Sequence, residues 1–224
     1  MLIIKQSVIE FLDSLSYNNN REWFIANKQE YLNARTNFED FVQALIDKLA
    51  LYEHPLRGLE AKSCIFRINR DIRFSNDKSP YKTNFGALII KGGRKNMHRY
   101  AGYYLHIEPS QSMISGGAYI PDIQWLTAIR ERIDQEPEKF VEIIENKNFK
   151  RFFREIEGEK LKSAPKGYDS NHPYLELLKY KSFLADRIFT DKEVTSTAFF
   201  DTVFNGFLAM KPLNDFLNNC LVDE

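Results

Sequence analysis

The sequence predicts an α+β fold in which a central antiparallel sheet of about four strands is flanked by N-terminal and C-terminal helices. Before residue 52 and after residue 122, apolar residues recur every three or four positions, which is the period of a helix. Between residues 62 and 120 the pattern changes to short runs of β-branched and aromatic residues separated by turn formers. We find no linker, repeat or low-complexity segment, so we predict a single domain over residues 1–224.

The first zone predicts two helices. The apolar residues of the first helix share one face: Ile4, Val8, Phe11, Leu12 and Leu15. Asn20 can cap a second, longer helix, because a short amide side chain accepts hydrogen bonds from the first backbone N–H groups. His54-Pro55 and Gly58 are expected to end that helix.

Four runs in the second zone predict strands: Cys64–Asn69, Phe85–Lys91, Ala101–Glu108 and Ser112–Tyr119. The turn formers between them are Asn76-Asp77, Gly92-Gly93 and Pro109-Ser110. Parallel neighbours would need longer crossovers than these links provide, so we predict an antiparallel meander.

The third zone is predicted to be helical again. The expected helices are Ile123–Gln135, Glu136–Asn146, Phe149–Ile156, Pro173–Leu184, one from Thr190 or Asp191 to about Met210, and a last one opened by Pro212. Asp122 can cap the first of them, and Pro173 suits the first turn of a helix. Residues 162–172 are predicted to form a loop.

Composition limits the classes of function. The 31 basic and 31 acidic residues balance, which argues against a large nucleic-acid interface. No apolar run approaches the ~18–20 residues of a membrane span, and the N-terminus lacks the features of a signal peptide. We therefore expect a cytoplasmic protein that has no membrane partner, with Cys64 and Cys220 as free thiols. The aromatic excess fits a core or an interface equally, so the oligomeric state stays open.

Positive charge concentrates between Arg67 and Arg99, where nine Lys and Arg residues accompany two acids. Such a concentration marks an anion-binding surface or an internal ion-pair lattice. Alternation on an extended strand puts Arg67, Asn69, Asp71 and Arg73 on one face. Arg70 falls among the apolar residues, so we expect it to be buried and paired with Asp77 or Glu108.

A second polar row follows the third predicted strand, where Tyr104, His106 and Glu108 share a face. If the two rows meet, they bring guanidinium groups, an imidazole and carboxylates together, as an anion pocket requires. His106 is then the proton carrier, with Asp71 or Glu108 orienting it. The predicted ligand-binding residues are Arg67, Arg70, Arg73, Lys78, Tyr81 and Lys82. None of the four histidines has metal-ligand spacing, so we predict no metal and no cofactor.

Two hypotheses of function remain open from the residues alone. In the first, the basic strand and loop form a cleft for a small ligand that bears a phosphate or a carboxylate; whether the protein is an enzyme is left open. In the second, it is a non-enzymatic structural or interaction module whose Arg/Asp motif is an internal ion-pair lattice. Exposure separates them, because a lattice would pair and bury every guanidinium.

The stretch from Arg67 to Lys82, which we call the basic passage, also resembles the signature of an uncharacterised bacterial family, domain of unknown function 2461. All eight signature positions match: Arg67, Arg70, Asp71, Arg73, Phe74, Asp77, Lys78 and Tyr81. The likeness continues at residues 18–24, at Pro165-Lys-Gly-Tyr168 and at His172-Pro173, and it departs from the family at Asn171 and Ala118. The resemblance implies membership of the family and a bacterial source, and it supplies no activity.

Overall fold

The computed structural model describes residues 2–220. These residues divide into two compact units, each assembled from three separate stretches of chain. Unit 1 contains residues 2–94, 104–114 and 188–204 of the described chain, and unit 2 contains residues 95–103, 115–187 and 205–220. The single domain expected over residues 1–224 stays a prediction.

Ten α-helices form in the described residues. They are α1 Gln6–Tyr17, α2 Arg21–Ala26, α3 Lys28–Leu49, α4 Ala61–Cys64, α5 Ile123–Gln135, α6 Pro137–Glu145, α7 Lys147–Phe153, α8 Leu175–Leu178, α9 Asp191–Val194 and α10 Phe199–Asn218. Within this part of the chain, no helix combines the length and the apolar character needed to cross a bilayer. The cytoplasmic location stays a prediction.

Four strands form one antiparallel sheet in the order β1-β2-β3-β4. They are β1 Phe85–Ile89, β2 Gly102–Ile107, β3 Ser112–Ala118 and β4 Phe183–Phe189. Helices flank the sheet, so the predicted α+β class is confirmed. The three strands predicted between residues 85 and 119 form with slightly trimmed ends.

The prediction of a sheet strand at Cys64–Asn69 is wrong. Cys64 ends α4, and the residues after it pair only through isolated bridges, Ile65 with Ala87 and Asn69 with Tyr81. The fourth strand lies instead at Phe183–Phe189, so the helix predicted from Pro173 to Leu184 is also wrong beyond the single turn of α8. In unit 2, β4 lies so close to Gly117 of β3 that a Cβ there would be 1.9 Å from the Phe183 carbonyl oxygen.

Capping side chains begin several helices where the sequence predicts them. Asn20 accepts the Trp23 N–H at 2.9 Å, and Asp122 accepts the Trp125 N–H at 2.9 Å. Thr190 forms a capping box with Glu193 at the start of α9. The long helix predicted after Asn20 is divided between α2 and α3.

Pro212 lies inside α10, so the prediction that it opens a separate helix is wrong. A proline within a helix costs about 3 kcal/mol, because it removes one backbone hydrogen bond and crowds the preceding turn. The side chains around it are fully buried in unit 2, among them Met210, Leu213 and Leu217. Burying each is worth about 1.5–3 kcal/mol, so packing outweighs the cost and the helix continues.

Each unit has its own aromatic core. In unit 1, Phe38 of α3 stacks on Phe85 of β1, with ring centroids 5.4 Å apart. In unit 2, Trp125 is 1% exposed and its indole N–H donates to the Leu217 carbonyl at 3.0 Å. The packing of α3 on β1 fixes the edge of the sheet that carries the basic passage.

Candidate functional site

The basic passage folds as an irregular hairpin in unit 1. Three backbone hydrogen bonds join its arms: Phe66 N–H to Gly86 O at 2.9 Å, Lys82 N–H to Ile68 O at 2.8 Å, and Arg70 N–H to Pro80 O at 2.9 Å. The bridged residues Ile65 and Asn69 are four positions apart, whereas their partners Ala87 and Tyr81 are six apart. The second arm therefore bulges by two residues, and this places Lys82 and Thr83 at the irregular point.

Residues 71–79, which we call the motif loop, are braced by their own charges. Arg70, at the base of the loop, forms an ion pair with Asp77, and Arg73 binds Asp71 through two side-chain hydrogen bonds of 2.9 and 2.7 Å. Lys78 Nζ donates to the Ile72 carbonyl at 3.1 Å. These residues of the predicted site satisfy one another within the loop.

The motif loop is exposed, so these ion pairs do not form a dry lattice. Arg70 pairs with Asp77 as predicted, but its side chain is 27% exposed where burial was expected. Bonds from Ser79 and then Arg70 hold the pKa of Asp77 well below its usual range. The bond from Arg73 is the main reason that the pKa of Asp71 is lowered.

Tyr81 anchors the base of the hairpin. It is 8% exposed, and its ring stacks on Phe24 at a centroid distance of 3.9 Å. The Asn19 amide holds the Tyr81 backbone at both polar atoms, donating to the carbonyl at 2.9 Å and accepting the N–H at 3.1 Å. The structure therefore places the Tyr81 ring in the core of unit 1.

A chain of four polar side chains, which we call the relay, runs along β2 to the hairpin. The Tyr104 hydroxyl lies 3.0 Å from His106 Nδ1, and His106 Nε2 lies 2.9 Å from Glu108 Oε2. The Thr83 hydroxyl donates to Glu108 Oε1 at 2.6 Å. The side chains of His106 and Glu108 are 15% and 21% exposed. The relay is thus partly shielded from water and still reachable from it.

The hydrogen-bond roles within the relay follow from the chemistry of each group. An ionised carboxylate only accepts, so His106 Nε2 carries the proton that is donated to Glu108. In the neutral imidazole, His106 Nδ1 then has a lone pair and accepts the Tyr104 O–H. Each proton therefore points along the relay from Tyr104 toward Glu108.

Gly86 of β1 makes room for the tyrosine end of the relay. A Cβ at this position would lie 2.7 Å from the Tyr104 hydroxyl and 3.2 Å from a ring carbon. Any larger side chain must push the phenol away from where it meets His106. The absence of a side chain at Gly86 is therefore part of the site's geometry.

Cations lie next to the relay without a carboxylate partner. Lys82 Nζ lies 5.2 Å from the Phe66 ring centroid, and the Phe66 ring meets the Tyr104 ring edge-on at 6.3 Å. Burial lowers the pKa of Lys82, and the neighbouring charges of Arg67 and Arg94 lower it further. Among the described residues, no carboxylate lies within ion-pair distance of Lys82 or of the exposed Arg67.

Arg94 is held by the backbone and contributes its charge from a fixed position. Its Nη1 donates to the carbonyls of Lys62 and Ser63 at 3.0 and 2.8 Å, at the end of α4. The turn at Gly92-Gly93 supports this contact, because a Cβ at Gly93 would lie 2.8 Å from the Ser63 carbonyl oxygen. The Gly-Gly turn therefore packs on α4.

The structure brings some of the sequence-predicted site residues together and separates others. His106 and Glu108 are hydrogen bonded, and Lys82 is close enough to Arg67 for their charges to interact. Asp71 binds Arg73, so it is Glu108 that contacts the imidazole of His106. The roles of Arg70, Arg73, Lys78 and Tyr81 in ligand binding stay predictions.

Thr83 and Phe66 were not predicted from the sequence as parts of the site. No sequence pattern indicates the contact of Thr83 with Glu108, because only the two-residue bulge turns Thr83 toward it. Tyr104 was predictable, since alternation along the strand places it on the same face as His106 and Glu108. Within the described residues, no group of three His, Cys, Asp or Glu side chains is arranged to hold a metal ion.

His172, which lies in unit 2, has hydrogen bonds that can be compared with those of His106. His172 Nε2 lies 2.8 Å from Asp134 Oδ1, and His172 Nδ1 accepts the backbone N–H of Tyr174 at 3.2 Å. Both ring nitrogens are therefore occupied, one of them by an amide whose proton does not transfer. His172 therefore holds its loop in place just before α8.

Comparisons with known proteins bear on the whole chain. A family model described as "Conserved hypothetical protein (DUF2461)" matches residues 7–216. No curated protein and no solved structure matches the chain. The matched range includes the basic passage, the relay and the loop that carries His172.

Proposed function

Since the chain belongs to the DUF2461 family, whose description names no activity, we infer its function from its site. We propose that the protein binds a small anionic ligand that bears a phosphate or a carboxylate. This membership confirms the resemblance predicted from the signature. The proposed binding residues are Arg67 and Lys82, which we call the anion site, and the Phe66 ring contacts both Lys82 and Tyr104 of the relay.

One observation carries the proposal: Lys82 is a half-buried cation among cations. Burial of a charge is costly unless an opposite charge or several hydrogen bonds compensate it. Lys82 faces the Phe66 ring, and its pKa is lowered by burial and by Arg67 and Arg94. An oxyanion between Lys82 and Arg67 would supply the missing counter-charge, and the planar guanidinium of Arg67 suits two of its oxygens.

Arg70 and Arg73, the other arginines of the motif, fit a structural role. Arg70 and Arg73 already have carboxylate partners in the motif loop. These ion pairs hold the shape of the exposed loop, and they leave the loop's guanidinium groups less available to a ligand. The anion-site and structural hypotheses thus apply to different residues of the same motif.

The lowered pKa of Lys82 gives the sign of its effect on stability. The unfolded chain holds the Lys82 proton more tightly than the folded protein does. The free energy of unfolding therefore rises with pH between the folded pKa of Lys82 and its higher unfolded pKa. At neutral pH the charged lysine therefore destabilises the fold. We expect Lys82→Met to raise the melting temperature in anion-free buffer and to weaken anion binding at the same time.

Calorimetric titration with inorganic phosphate, and separately with citrate, tests the proposal. Lys82→Met and Arg67→Ala should each raise Kd about tenfold or more, which corresponds to about 1.4 kcal/mol. Arg73→Ala is the matched control, because Arg73 belongs to the same motif and is already paired with Asp71. Equal Kd values for the parent, Lys82→Met and Arg73→Ala would refute the anion site.

A further inference from the structure

We propose that Tyr104, His106 and Glu108 form a nucleophile–base–carboxylate triad, in which the Tyr104 hydroxyl attacks the ester of an oxyacid held at the anion site. The substrate class is a phosphate or sulfate ester, and the intermediate is an ester of Tyr104. The inference rests on the proposed anion site for substrate binding, and its chemistry rests separately on the geometry of the relay.

The relay has the arrangement by which proteins activate a weak nucleophile. A hydroxyl becomes nucleophilic when an adjacent base takes its proton and a third group orients that base. Here the base is His106, 3.0 Å from the Tyr104 hydroxyl, and the orienting group is Glu108, 2.9 Å from His106. The Thr83 hydroxyl in turn fixes the Glu108 carboxylate at 2.6 Å.

The comparison with His172 shows why the partner of Nδ1 matters. Both histidines place Nε2 against a carboxylate, at 2.9 Å in His106 and 2.8 Å in His172. His172 Nδ1 accepts a backbone N–H, which keeps its proton. His106 Nδ1 accepts a phenol, whose proton can move to the ring. The same dyad is therefore structural in one place and suited to proton transfer in the other.

The surroundings favour negative charge on the phenol oxygen. Lys82 and Tyr104 contact the same aromatic ring, since the Phe66 centroid lies 5.2 Å from Lys82 Nζ and 6.3 Å from the Tyr104 ring centroid. Lys82, Arg67 and Arg94 concentrate positive charge there, and the partly shielded position of the relay reduces screening by water. The same cations would bind the non-bridging oxygens of the substrate and orient its central atom toward Tyr104.

The reaction balances with water as the second reactant. In the first step the Tyr104 oxygen forms a bond to phosphorus or sulfur, the bond to the alcohol oxygen breaks, and the phenol proton passes through His106 to that leaving oxygen. In the second step water attacks the tyrosyl ester, His106 takes a proton from the water, and the Tyr104 oxygen leaves and regains a proton. Nothing is oxidised or reduced.

An aryl fluorosulfate that carries a carboxylate tests the triad directly. The Tyr104 oxygen would displace fluoride from sulfur, with the phenol proton accepted by His106. Peptide mapping by mass spectrometry should show the label on Tyr104. Tyr17, which is 81% exposed, serves as the reference for an ordinary tyrosine in the same protein.

Substitutions at His106 and Glu108 distinguish the role of the base from that of the positioning group. His106→Gln should slow labelling about a hundredfold, the usual scale of general-base catalysis. It should also flatten the dependence of the labelling rate on pH, because the base that accepts the phenol proton is then missing. Glu108→Gln should alter that pH profile, an effect that a purely structural carboxylate would not produce. His172→Gln should label at the parental rate.

Two outcomes separate this inference from the anion site. If phosphate binds and depends on Lys82, yet Tyr104 is labelled no faster than Tyr17, the triad is overturned and the anion site stands. If Tyr104 is labelled fast and phosphate does not protect it, the triad is supported and the anion site is overturned. Fast labelling that phosphate suppresses supports both.

Discussion

Arg130 offers the sharpest test of how unit 2 is held together. It lies on α5 with 9% of its surface exposed, and burial is the main cause of its lowered pKa. Its Nε donates to the Leu178 carbonyl at 2.8 Å, and its Nη2 donates to the Tyr180 carbonyl at 3.1 Å. The guanidinium thus joins α5 to the chain that leads from α8 into β4.

The two hydrogen bonds of Arg130 determine how much stability Arg130→Ala should lose. Hydrogen bonds from a charged donor contribute about 1.5–3 kcal/mol each, so the two together give about 3–6 kcal/mol. Relief of the buried charge offsets part of that loss, so we expect Arg130→Ala to lower the free energy of unfolding by about 3 kcal/mol. Arg130→Lys should also destabilise, because one ammonium group cannot reproduce the fork of the guanidinium.

Urea unfolding followed by circular dichroism provides the measurement, with Arg70→Ala as the comparison. Arg70 pairs with Asp77 in an exposed loop, so its replacement should cost less than half as much. A loss below about 0.5 kcal/mol for Arg130→Ala is the usual result at a surface site and would refute the reasoning. Equal losses for the two variants would also refute it.

Three further predictions concern side chains with defined surroundings. Gly86→Ala should move the Tyr104 hydroxyl and abolish its fluorosulfate labelling while the protein stays folded; unchanged labelling would contradict the close approach seen at Gly86. Burial raises the pKa of the Cys220 thiol to about 11, so alkylation by iodoacetamide should be slow at pH 8 and accelerate toward pH 11, with rapid reaction at pH 8 as the contrary result. Asp71 has a lowered folded pKa, so its pairing with Arg73 should hold above pH 3.8 and be lost only as the pH falls through the lower folded value. Arg73→Ala should return the Asp71 pKa toward 3.8 in a carboxyl NMR titration, and no change would show that the pair is absent in solution.

The meander was predictable because its signals are local. Phe85–Ile89 and Gly102–Ile107 are short runs rich in apolar and aromatic residues, Ser112–Ala118 is a short run of small and apolar residues, and the turn formers Gly92-Gly93 and Pro109-Ser110 lie between them. Capping was predictable for the same reason, since Asn20 and Asp122 act on N–H groups three residues away. Such features depend on neighbours in the chain, which a sequence displays directly.

The missed features depend on partners distant in the chain. Phe183–Phe189 is a strand because it pairs with β3, and nothing next to it in sequence shows that partner. Arg130 lies on the apolar stripe of α5 with Ile129 and Ile133, and its burial is possible because carbonyls near residue 180 are available to it. The helix predicted there would have used those carbonyls itself.

The candidate site was partly predictable. Strand alternation alone puts Tyr104, His106 and Glu108 on one face, and the structure joins them by hydrogen bonds. The same rule failed for Arg67–Arg73, since the chain leaves the extended conformation in the motif loop. The pairing of Lys82 with Phe66 and of Thr83 with Glu108 needed the bulge, and no residue pattern predicts a bulge of that size.

Because Asn19 and Phe24 hold Tyr81 in place, the proposed anion binding cannot be transferred to another protein with the motif alone. A synthetic peptide covering residues 65–87 would retain every cation of the basic passage. It would lack the amide that holds the Tyr81 backbone and the ring that stacks on Tyr81, both supplied from more than fifty residues upstream. Such a fragment should attract anions only as any flexible basic peptide does. Grafting this site onto another scaffold would therefore require the N-terminal helices as well.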